Sequence, residues 1–380
     1  MVLVKRSIEP LISNWLFKSK IIVIYGPRQV GKTTLAKTLL IRHGDAKDYY
    51  NCDLIPVREV LEKQDPKLLR QYVGDTKLFV LDEAQQVRDI GKVLKIFHDT
   101  YPDVQIIATG SSSFDLANKL NEPLTGRVLE FILYPFSLHE VTDGMGVNNF
   151  DIENKLEILM RFGSYPDIYL AENQNKKETL LSTLASNYLY KDVLMFENLR
   201  KPDLLLKLLK LLALQIGGEV STHELATKLG VGTGTITRYL DLLEKSFVIF
   251  QLKPFSGNLR NEIGRKSKIF FYDLGIRNIL IDRVAALDLR DDIGGLWENF
   301  CLVERLKYNQ RHEHHRNMYF WRTHAGKEID CIEEYEGKLH GYEFKWGDAK
   351  YRKPQEFLDA YEGSSIEIIN KGSWREFLLS

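Results

Sequence analysis

Residues 26–33 have types and a spacing that suit phosphate binding. Gly26 and Gly31 bracket four residues, and Lys32 and Thr33 follow at once, which completes the pattern G-x-x-x-x-G-K-[ST]. The glycines allow backbone amides to wrap around a phosphate, the lysine reaches the terminal phosphates and the threonine hydroxyl binds magnesium. The pattern predicts a site for ATP and Mg²⁺, formed by Gly26, Pro27, Arg28, Gln29, Val30, Gly31, Lys32, Thr33 and Thr34.

Two acidic residues end a short apolar segment further along the chain. Residues 78–81 read LFVL, which is typical of a buried parallel strand, and Asp82 and Glu83 follow directly. We expect Asp82 to hold the magnesium water shell and Glu83 to polarise the water that attacks the γ-phosphate, because phosphoryl transfer needs positioning and charge neutralisation. An ordinary acidic strand end explains either feature alone. The order of phosphate loop and then acid-tipped strand favours a catalytic site.

A serine and an arginine are further candidates for contact with the γ-phosphate. Ser111 follows a third apolar segment, residues 104–110, and its alternative role is to cap a helix. Arg127 precedes a predicted fifth strand, and its guanidinium is a candidate to stabilise the transition state in its own subunit or in a neighbouring one. An ion-paired surface arginine is the alternative for Arg127.

Four charged residues nearer the C-terminus have the types found in metal-dependent nucleases. Glu343 and Lys345 alternate along a predicted strand, so both side chains lie on one face. Asp330 lies on the preceding predicted strand, and Glu298 lies near the start of a predicted helix. We expect the three carboxylates to hold magnesium, and Lys345 to orient or deprotonate the attacking water. Because such alternation is common on exposed strands, cleavage itself stays an open question.

A third group of candidates concerns DNA. Residues 203–255 follow the order of helices and strands of a winged helix. Its third helix, residues 233–244, presents polar side chains on the face that enters a major groove, and the basic segment 253–268 is the predicted wing. Winged helices also bind proteins, so protein contact is the alternative. The predicted DNA contacts are Thr235, Thr237, Arg238, Arg260, Arg265, Lys266 and Lys268.

The order of predicted elements places these groups in successive domains. Helices and strands alternate through the first part of the chain, which indicates a doubly wound parallel sheet with its ligand at the strand ends. The composition then turns helical, and the last part begins with one helix followed by three strands, as in the restriction-nuclease core. The predicted α/β architecture is a P-loop ATPase core at 1–140, a helical lid at 141–202, a winged helix at 203–285 and a restriction-nuclease-like domain at 286–380.

Composition limits the classes of function. Among 380 residues, Lys plus Arg and Asp plus Glu each number 52, so nucleic-acid binding must come from local patches instead of net charge. The three cysteines are scattered, which argues against disulfides or a zinc site and fits a reducing cytosol. Signal-peptide and membrane-span patterns are both lacking, so we predict a cytoplasmic protein with no membrane partner.

The motifs together resemble the AAA-type ATPases of the additional-strand, catalytic-glutamate class. The sequence TGR at Thr125–Arg127, the strand VLEFIL and the sequence YPFSLHE at Tyr134–Glu140 extend the resemblance to one family, the bacterial and archaeal ATPases with a C-terminal PD-(D/E)xK nuclease-like domain. This likeness covers nearly the whole chain. It implies the lid, the winged helix and the nuclease-like fold. A homo-hexamer is the default of this ATPase class, with a monomer or dimer as the alternative.

Two functions follow from these predictions. The first is an ATPase that remodels or translocates DNA in the manner of a helicase, with a nuclease-like domain that binds and is a candidate to cut the strand. Branched DNA is favoured by the resemblance, and single-stranded DNA is the other candidate. The second function is a nucleotide-switched signalling or defence scaffold that binds a protein partner and turns ATP over slowly.

Overall fold

The protein folds into two compact units, which consist of residues 1–136 with 245–247 and of residues 137–244 with 248–380. A computed structural model describes residues 4–110, 124–142, 149–188, 202–255, 266–323, 325–347 and 351–379. Among the described helices, none combines the length and the apolar character that crossing a bilayer requires.

The first unit contains a parallel sheet in the order β2-β3-β4-β1-β5. Every residue of β1, β3 and β4 is buried, as the apolar segments predicted. Because the strands are parallel, their carboxyl ends meet at one edge of the sheet, where the phosphate loop and the acidic pair begin. The strands are β1 Ile21–Tyr25, β2 Tyr49–Asn51, β3 Leu78–Asp82, β4 Gln105–Gly110 and β5 Val128–Ile132.

The helices of the first unit alternate with these strands. Helix α2 begins at Lys32, directly after the loop, and α5 packs on the sheet, where the rings of Phe97 and Phe79 lie 4.9 Å apart. The Asp65 side chain caps α4 by accepting a hydrogen bond from the Leu68 N–H. The helices are α1 Ile8–Trp15, α2 Lys32–His43, α3 Ile55–Leu61, α4 Pro66–Val73 and α5 Ile90–Thr100.

The second unit begins with helices. One of its helices ends at Phe162, and the reason is a close approach of the backbone to another segment. Gly163 has a φ of 80°, and a Cβ atom there would stand 2.1 Å from a carboxylate oxygen of Asp273. Asp273 in turn accepts hydrogen bonds from the Ser164 N–H and, as the cap of α13, from the Ile276 N–H. The helices are α6 Leu138–Thr142, α7 Asn149–Phe162, α8 Pro166–Tyr169, α9 Gln174–Tyr188, α10 Pro202–Leu214, α11 Thr222–Leu229, α12 Thr233–Lys245 and α13 Leu274–Leu280.

One mixed sheet runs through the rest of this unit in the order β12-β11-β10-β9-β7-β8-β6. Strand β7 pairs antiparallel with β8 on one side and parallel with β9 on the other, where Lys253 aligns with Tyr319 and Pro254 with Phe320. The elements are β6 Glu219–Val220, β7 Ile249–Pro254, β8 Ser267–Phe271, α14 Ile293–Arg311, β9 Asn317–Arg322, β10 Glu328–Tyr335, β11 Lys338–Phe344, α15 Gln355–Ala360, β12 Ser365–Ile369 and α16 Trp374–Leu379.

This continuity has a consequence for the predicted domains. The strands assigned to the winged helix and those assigned to the nuclease-like domain belong to a single sheet, because β7 joins them. The domain boundaries inferred from sequence stay predictions. The sheet that crosses the last of them was not foreseen, since strand pairing across a long connection leaves no local sequence signal.

Candidate functional site

The phosphate loop is held by close backbone packing that only glycine permits. Gly26 has a φ of 151°, and a Cβ atom at this position would stand 2.2 Å from the backbone oxygen of Leu133. Gly31 has a φ of 94° and precedes the first residue of α2. Both glycines are therefore required by the backbone path, as the sequence pattern predicted.

Lys32 lies across the loop. Its side chain is buried, and the ammonium donates hydrogen bonds to the backbone oxygens of Gly26 at 2.9 Å and Pro27 at 2.8 Å. Among the other loop residues Val30 is fully buried, whereas the side chains of Arg28, Gln29 and Thr34 are exposed. The exposed side chains indicate that the loop offers its backbone to a phosphate more than its side chains.

A buried arginine that the sequence analysis did not single out supports the same loop. Arg6 donates one hydrogen bond to the Val30 oxygen at 2.7 Å and another to the Tyr134 oxygen at 2.5 Å. Its guanidinium also lies 5.0 Å from the ring centre of Phe136. The only sequence signal was a basic residue in the segment before β1, which is too common to identify a role.

Asp82 and Thr33 lie in contact, as expected for two residues that are predicted to hold the same magnesium ion. The Thr33 hydroxyl donates to Oδ2 of Asp82 at 2.7 Å, and the Tyr49 hydroxyl donates to the same oxygen at 2.5 Å. The Thr109 hydroxyl donates to the other oxygen, Oδ1. A threonine hydroxyl beside a carboxylate is the hard oxygen donor set that Mg²⁺ prefers, so these residues fit the ion that accompanies ATP.

Glu83 is held next to this pair. It has a φ of 53°, and its carboxylate accepts a hydrogen bond from the Gln85 amide at 2.5 Å. Its backbone N–H donates to the Thr109 hydroxyl at 3.1 Å. Thr109 therefore links the ends of β3 and β4. The only feature of the sequence that distinguishes Thr109 is a hydroxyl residue within a mostly apolar segment. Ser111, the serine predicted as a candidate for contact with the γ-phosphate, lies outside the described residues.

Arg127 lies at the wrong edge of the sheet for the role in its own subunit. Val128 aligns with Ile21, so Arg127 precedes the amino end of β5, whereas the phosphate loop follows the carboxyl end of β1. A strand of five residues spans roughly 17 Å at about 3.3 Å per residue, beyond the reach of a guanidinium. Arg127 is instead paired with Asp99 at 2.9 Å. Action on a neighbouring subunit stays a prediction.

The C-terminal candidates do come together. Oδ2 of Asp330 accepts a hydrogen bond from the Phe344 N–H at 2.9 Å, which ties β10 to the end of β11. Lys345 donates to Oε1 of Glu343 at 2.6 Å. Glu298, Asp330 and Glu343 are all buried. The structure therefore brings these candidate residues into one neighbourhood, while the catalytic roles predicted for them are not tested by it.

A residue expected elsewhere changes the chemistry of this neighbourhood. We expected Lys268 on the DNA-facing wing, but its side chain is only 2% exposed. Its ammonium lies 2.8 Å from Glu298, 2.5 Å from Glu328 and 3.6 Å from Asp330. Within the described part of the chain, no group of three or more His, Cys, Asp or Glu residues is arranged to hold a metal ion. The magnesium set of Glu298, Asp330 and Glu343 thus does not fit the observed contacts.

The electrostatics of this cluster follow from burial. Burial, reinforced by the charge of Asp330, raises the pKa of Glu298 and that of Glu343 above the usual range for glutamate, while the ammonium of Lys268 limits the rise at Glu298 and that of Lys345 limits it at Glu343. Burial opposes the charge of Lys268, but the carboxylates of Glu298, Asp330 and Glu328 raise its pKa above the usual range for lysine. The lysine therefore keeps its proton at neutral pH and supplies a permanent positive charge.

The remaining DNA candidates are partly on the surface. Helix α12 buries Ile236 and Tyr239, while Thr237 and Arg238 are exposed and Thr235 is half-buried. Lys266 is exposed, and Arg260 and Arg265 lie outside the described residues. Thr237 and Arg238 thus lie on the exposed side of α12. Contact with DNA stays a prediction.

Family models match three segments of the chain. Residues 18–142 match the model described as an AAA domain. Residues 153–287 and 293–372 match two further models, each described as a domain of unknown function.

Two curated relatives are named only as uncharacterized proteins. An uncharacterized protein of Mycobacterium tuberculosis is 26% identical over 349 residues, which is 91% of this chain and 74% of that protein. An uncharacterized protein of Methanocaldococcus jannaschii is 27% identical over 337 residues, covering 77% of this chain and 70% of that protein.

Two solved structures are weakly similar. AMPPCP-bound DnaA from Aquifex aeolicus has a TM-score of 0.24 at 15% identity and covers 63% of this chain and 86% of its own. Cdc6p from Pyrobaculum aerophilum has a TM-score of 0.27 at 14% identity, with 73% and 93% covered. TM-scores this low carry no argument about this chain. The identity of the first unit therefore depends on the match to the AAA domain model, the strand order of the parallel sheet and the geometry of the phosphate loop. On these three grounds, the first unit contains an AAA domain whose phosphate loop suits the binding of a nucleotide such as ATP.

Proposed function

We propose that this protein hydrolyses ATP and uses the reaction to remodel or translocate DNA, with branched or single-stranded DNA as its substrate. The observation that carries the ATPase part is the 2.7 Å contact between Thr33 and Asp82, directly behind a loop whose glycines cannot be replaced. A magnesium ion bound with ATP supplies charge neutralisation at the phosphates.

The residues of the chain have separate roles in this reaction. The loop amides and Lys32 bind and orient the phosphates, and Thr33 and Asp82 offer oxygens to the metal. Glu83 orients and polarises the attacking water. Thr109 fixes the positions of both acidic residues, because its hydroxyl donates to the Asp82 carboxylate and accepts from the Glu83 backbone N–H.

The DNA part of the proposal is supported by exposed groups of the second unit. Arg238 and Thr237 lie on the exposed side of α12, and Lys266 lies at the start of β8. Cationic side chains at these positions suit contact with phosphates, and helix side chains suit a groove.

One contact favours the slower, switch-like alternative. The Gln85 amide holds the carboxylate of Glu83 at 2.5 Å, which competes with a water for the same oxygen. If that contact persists with ATP bound, the nucleotide is hydrolysed slowly and the protein acts as a scaffold for a protein partner.

Steady-state ATP turnover with a panel of DNA structures distinguishes these functions. We expect turnover that branched or single-stranded DNA stimulates, and its loss in Glu83→Gln, which keeps ATP binding. Glu59→Gln is the matched control, because Glu59 is an exposed glutamate of α3 in the same unit. A response that is flat across all DNA, with nucleotide held tightly, argues for the scaffold.

The proposed DNA-binding surface is tested by measuring DNA binding by fluorescence polarisation over a salt series. We expect the double variant Arg238→Ala with Lys266→Ala to weaken binding and to lower the slope of log affinity against log salt by about 1 for each phosphate that the variant no longer neutralises. Lys338→Ala, at an exposed lysine of β11, is the control. Affinity that salt does not change contradicts a phosphate-binding surface.

A further inference from the structure

We propose that the ammonium of Lys268 occupies the place where the sequence predicted magnesium among Glu298, Asp330 and Glu343, so that this part of the chain holds no metal ion there and does not cut DNA. The carboxylate cluster is defined as Glu298, Glu328, Asp330 and Glu343. This inference goes beyond ATP turnover, because it concerns the second unit alone.

The contacts of Lys268 match the bonding capacity of an ammonium. A lysine ammonium has three N–H donors and no acceptor, and three carboxylates surround it. The distances of 2.8 Å to Glu298 and 2.5 Å to Glu328 lie at or below the usual length of charge-assisted hydrogen bonds. The third carboxylate, that of Asp330, lies 3.6 Å away and completes the negative surroundings.

The position of Lys268 is enclosed. A Cβ atom at Gly217, which has a φ of 76°, would stand 2.6 Å from Oε2 of Glu298, so the turn before β6 packs directly on this carboxylate. The ring of Phe320 lies 5.6 Å from the ammonium and adds a cation–π contact. Magnesium gives up its waters reluctantly and needs octahedral room, which this packing does not provide while the lysine is in place.

The second lysine of the region is also engaged. Lys345, the lysine of the E-x-K pattern, donates to Glu343 at 2.6 Å. The carboxylate cluster therefore meets two ammonium groups, that of Lys268 on β8 and that of Lys345 directly after β11. Lys268 comes from β8, whereas Asp330 comes from β10 and Glu298 from α14. The ammonium of Lys268 thus links β8 to β10 and α14.

Removal of the lysine should expose a metal site. In Lys268→Met the carboxylates on α14 and β10 lose their cation and can turn toward an added ion, and hard oxygen donors of this type bind Mn²⁺. We expect the variant to bind about one Mn²⁺ more per chain than the wild type, and Lys268→Met with Asp330→Asn to lose that gain. Lys268→Arg keeps the charge and is the matched control, with no gain.

The measurement is equilibrium binding of Mn²⁺ by electron paramagnetic resonance on the full chain without nucleotide. Ions at the phosphate loop contribute equally to every variant, so only the difference between variants counts. Failure here leaves the ATPase result untouched, because Glu83→Gln tests that separately. A Lys268→Met protein that folds, as judged by circular dichroism, but gains no Mn²⁺ overturns the inference.

The wild type decides the matter even if Lys268→Met does not fold. We expect the wild type and Asp330→Asn to bind equal amounts of Mn²⁺, because the ammonium already occupies the cluster. A lower amount in Asp330→Asn overturns the inference. So does cleavage of duplex, single-stranded or branched DNA with Mg²⁺ or Mn²⁺ by the wild type that Asp330→Ala abolishes.

Discussion

The two charged centres of this protein use the same types of side chain in opposite ways. At the phosphate loop, the described partners of Asp82 are neutral hydroxyl groups, and Lys32 donates to backbone oxygens. In the carboxylate cluster, Lys268 contacts three carboxylates directly. The first arrangement, at the phosphate loop, leaves the acid without a counter-ion of its own among the described contacts, and we call it the open centre. The second, the carboxylate cluster with Lys268, contains its counter-ion, and we call it the closed centre.

This difference explains what each centre needs from outside. An acid held by hydroxyls still gains from a metal ion, so the first centre is suited to a ligand that brings one. A buried acid that already has an ammonium gains little, and its ion pairs instead hold the fold together. The same residue types therefore serve binding at one place and structure at the other.

The largest effect is expected from removing the lysine of the closed centre. Lys268→Met leaves buried carboxylates without a partner, which costs about 3–5 kcal/mol when one member of a buried ion pair is lost. We expect the free energy of unfolding of the second unit to fall by about this amount, measured by urea denaturation. Lys338→Met, at an exposed lysine, is the control. A fall below about 1 kcal/mol contradicts a structural role for the cluster.

The matching change in the open centre should affect activity instead of stability. Lys32→Met removes a charge that acts on the bound phosphates, and losses of this type are on the order of 10²–10³-fold in turnover. Stability should change by only about 1 kcal/mol, because the lysine donates to carbonyl oxygens of its own loop. ATP turnover and urea denaturation of the same sample test both parts. Large destabilisation with intact turnover would reverse the comparison.

The sequence predicted the open centre well because its signals are local. The glycine spacing, Lys32 and the acid pair at the end of β3 each depend on a short segment, and the parallel order of the strands places them at one edge. Arg6 and Thr109 were missed, since their roles come from contacts with distant segments. Tyr49 was missed for the same reason, because its hydroxyl meets Asp82 only when β2 pairs with β3.

The sequence predicted the closed centre only in part. The alternation of Glu343 and Lys345 and the placement of Asp330 on a neighbouring strand were readable. Lys268 was not, because a basic residue in a segment rich in lysine and arginine is usually a surface group. Its burial follows from the pairing of β7 with β9, which brings β8 beside the carboxylates. The contacts of Lys268 with the carboxylates therefore depend on strand pairing between segments that are distant in the sequence.

A smaller effect is expected at the residue that links β3 and β4. Thr109→Val keeps the shape of a fully buried side chain but removes the hydroxyl that contacts Asp82 and Glu83. We expect turnover to fall about 10-fold, equivalent to about 1.4 kcal/mol, with ATP affinity little changed. Thr38→Val, at a half-buried threonine of α2 whose hydroxyl donates to the Thr34 oxygen, is the control. Unchanged turnover would show that the acid pair positions itself without Thr109.

The smallest effect is expected for Arg127 within a single subunit. Its guanidinium is 34% exposed and pairs with Asp99, and an exposed ion pair contributes about 0–1 kcal/mol. Arg127→Ala should therefore change ATP affinity less than about 2-fold, as should the control Asp99→Ala. Turnover is the separate readout for action on a neighbouring subunit. If Arg127→Ala is inactive alone but its mixture with Glu83→Gln recovers turnover, the arginine acts across a homo-oligomer. Inactivity that persists in the mixture, together with weakened ATP binding, would place Arg127 in its own site and contradict the strand register.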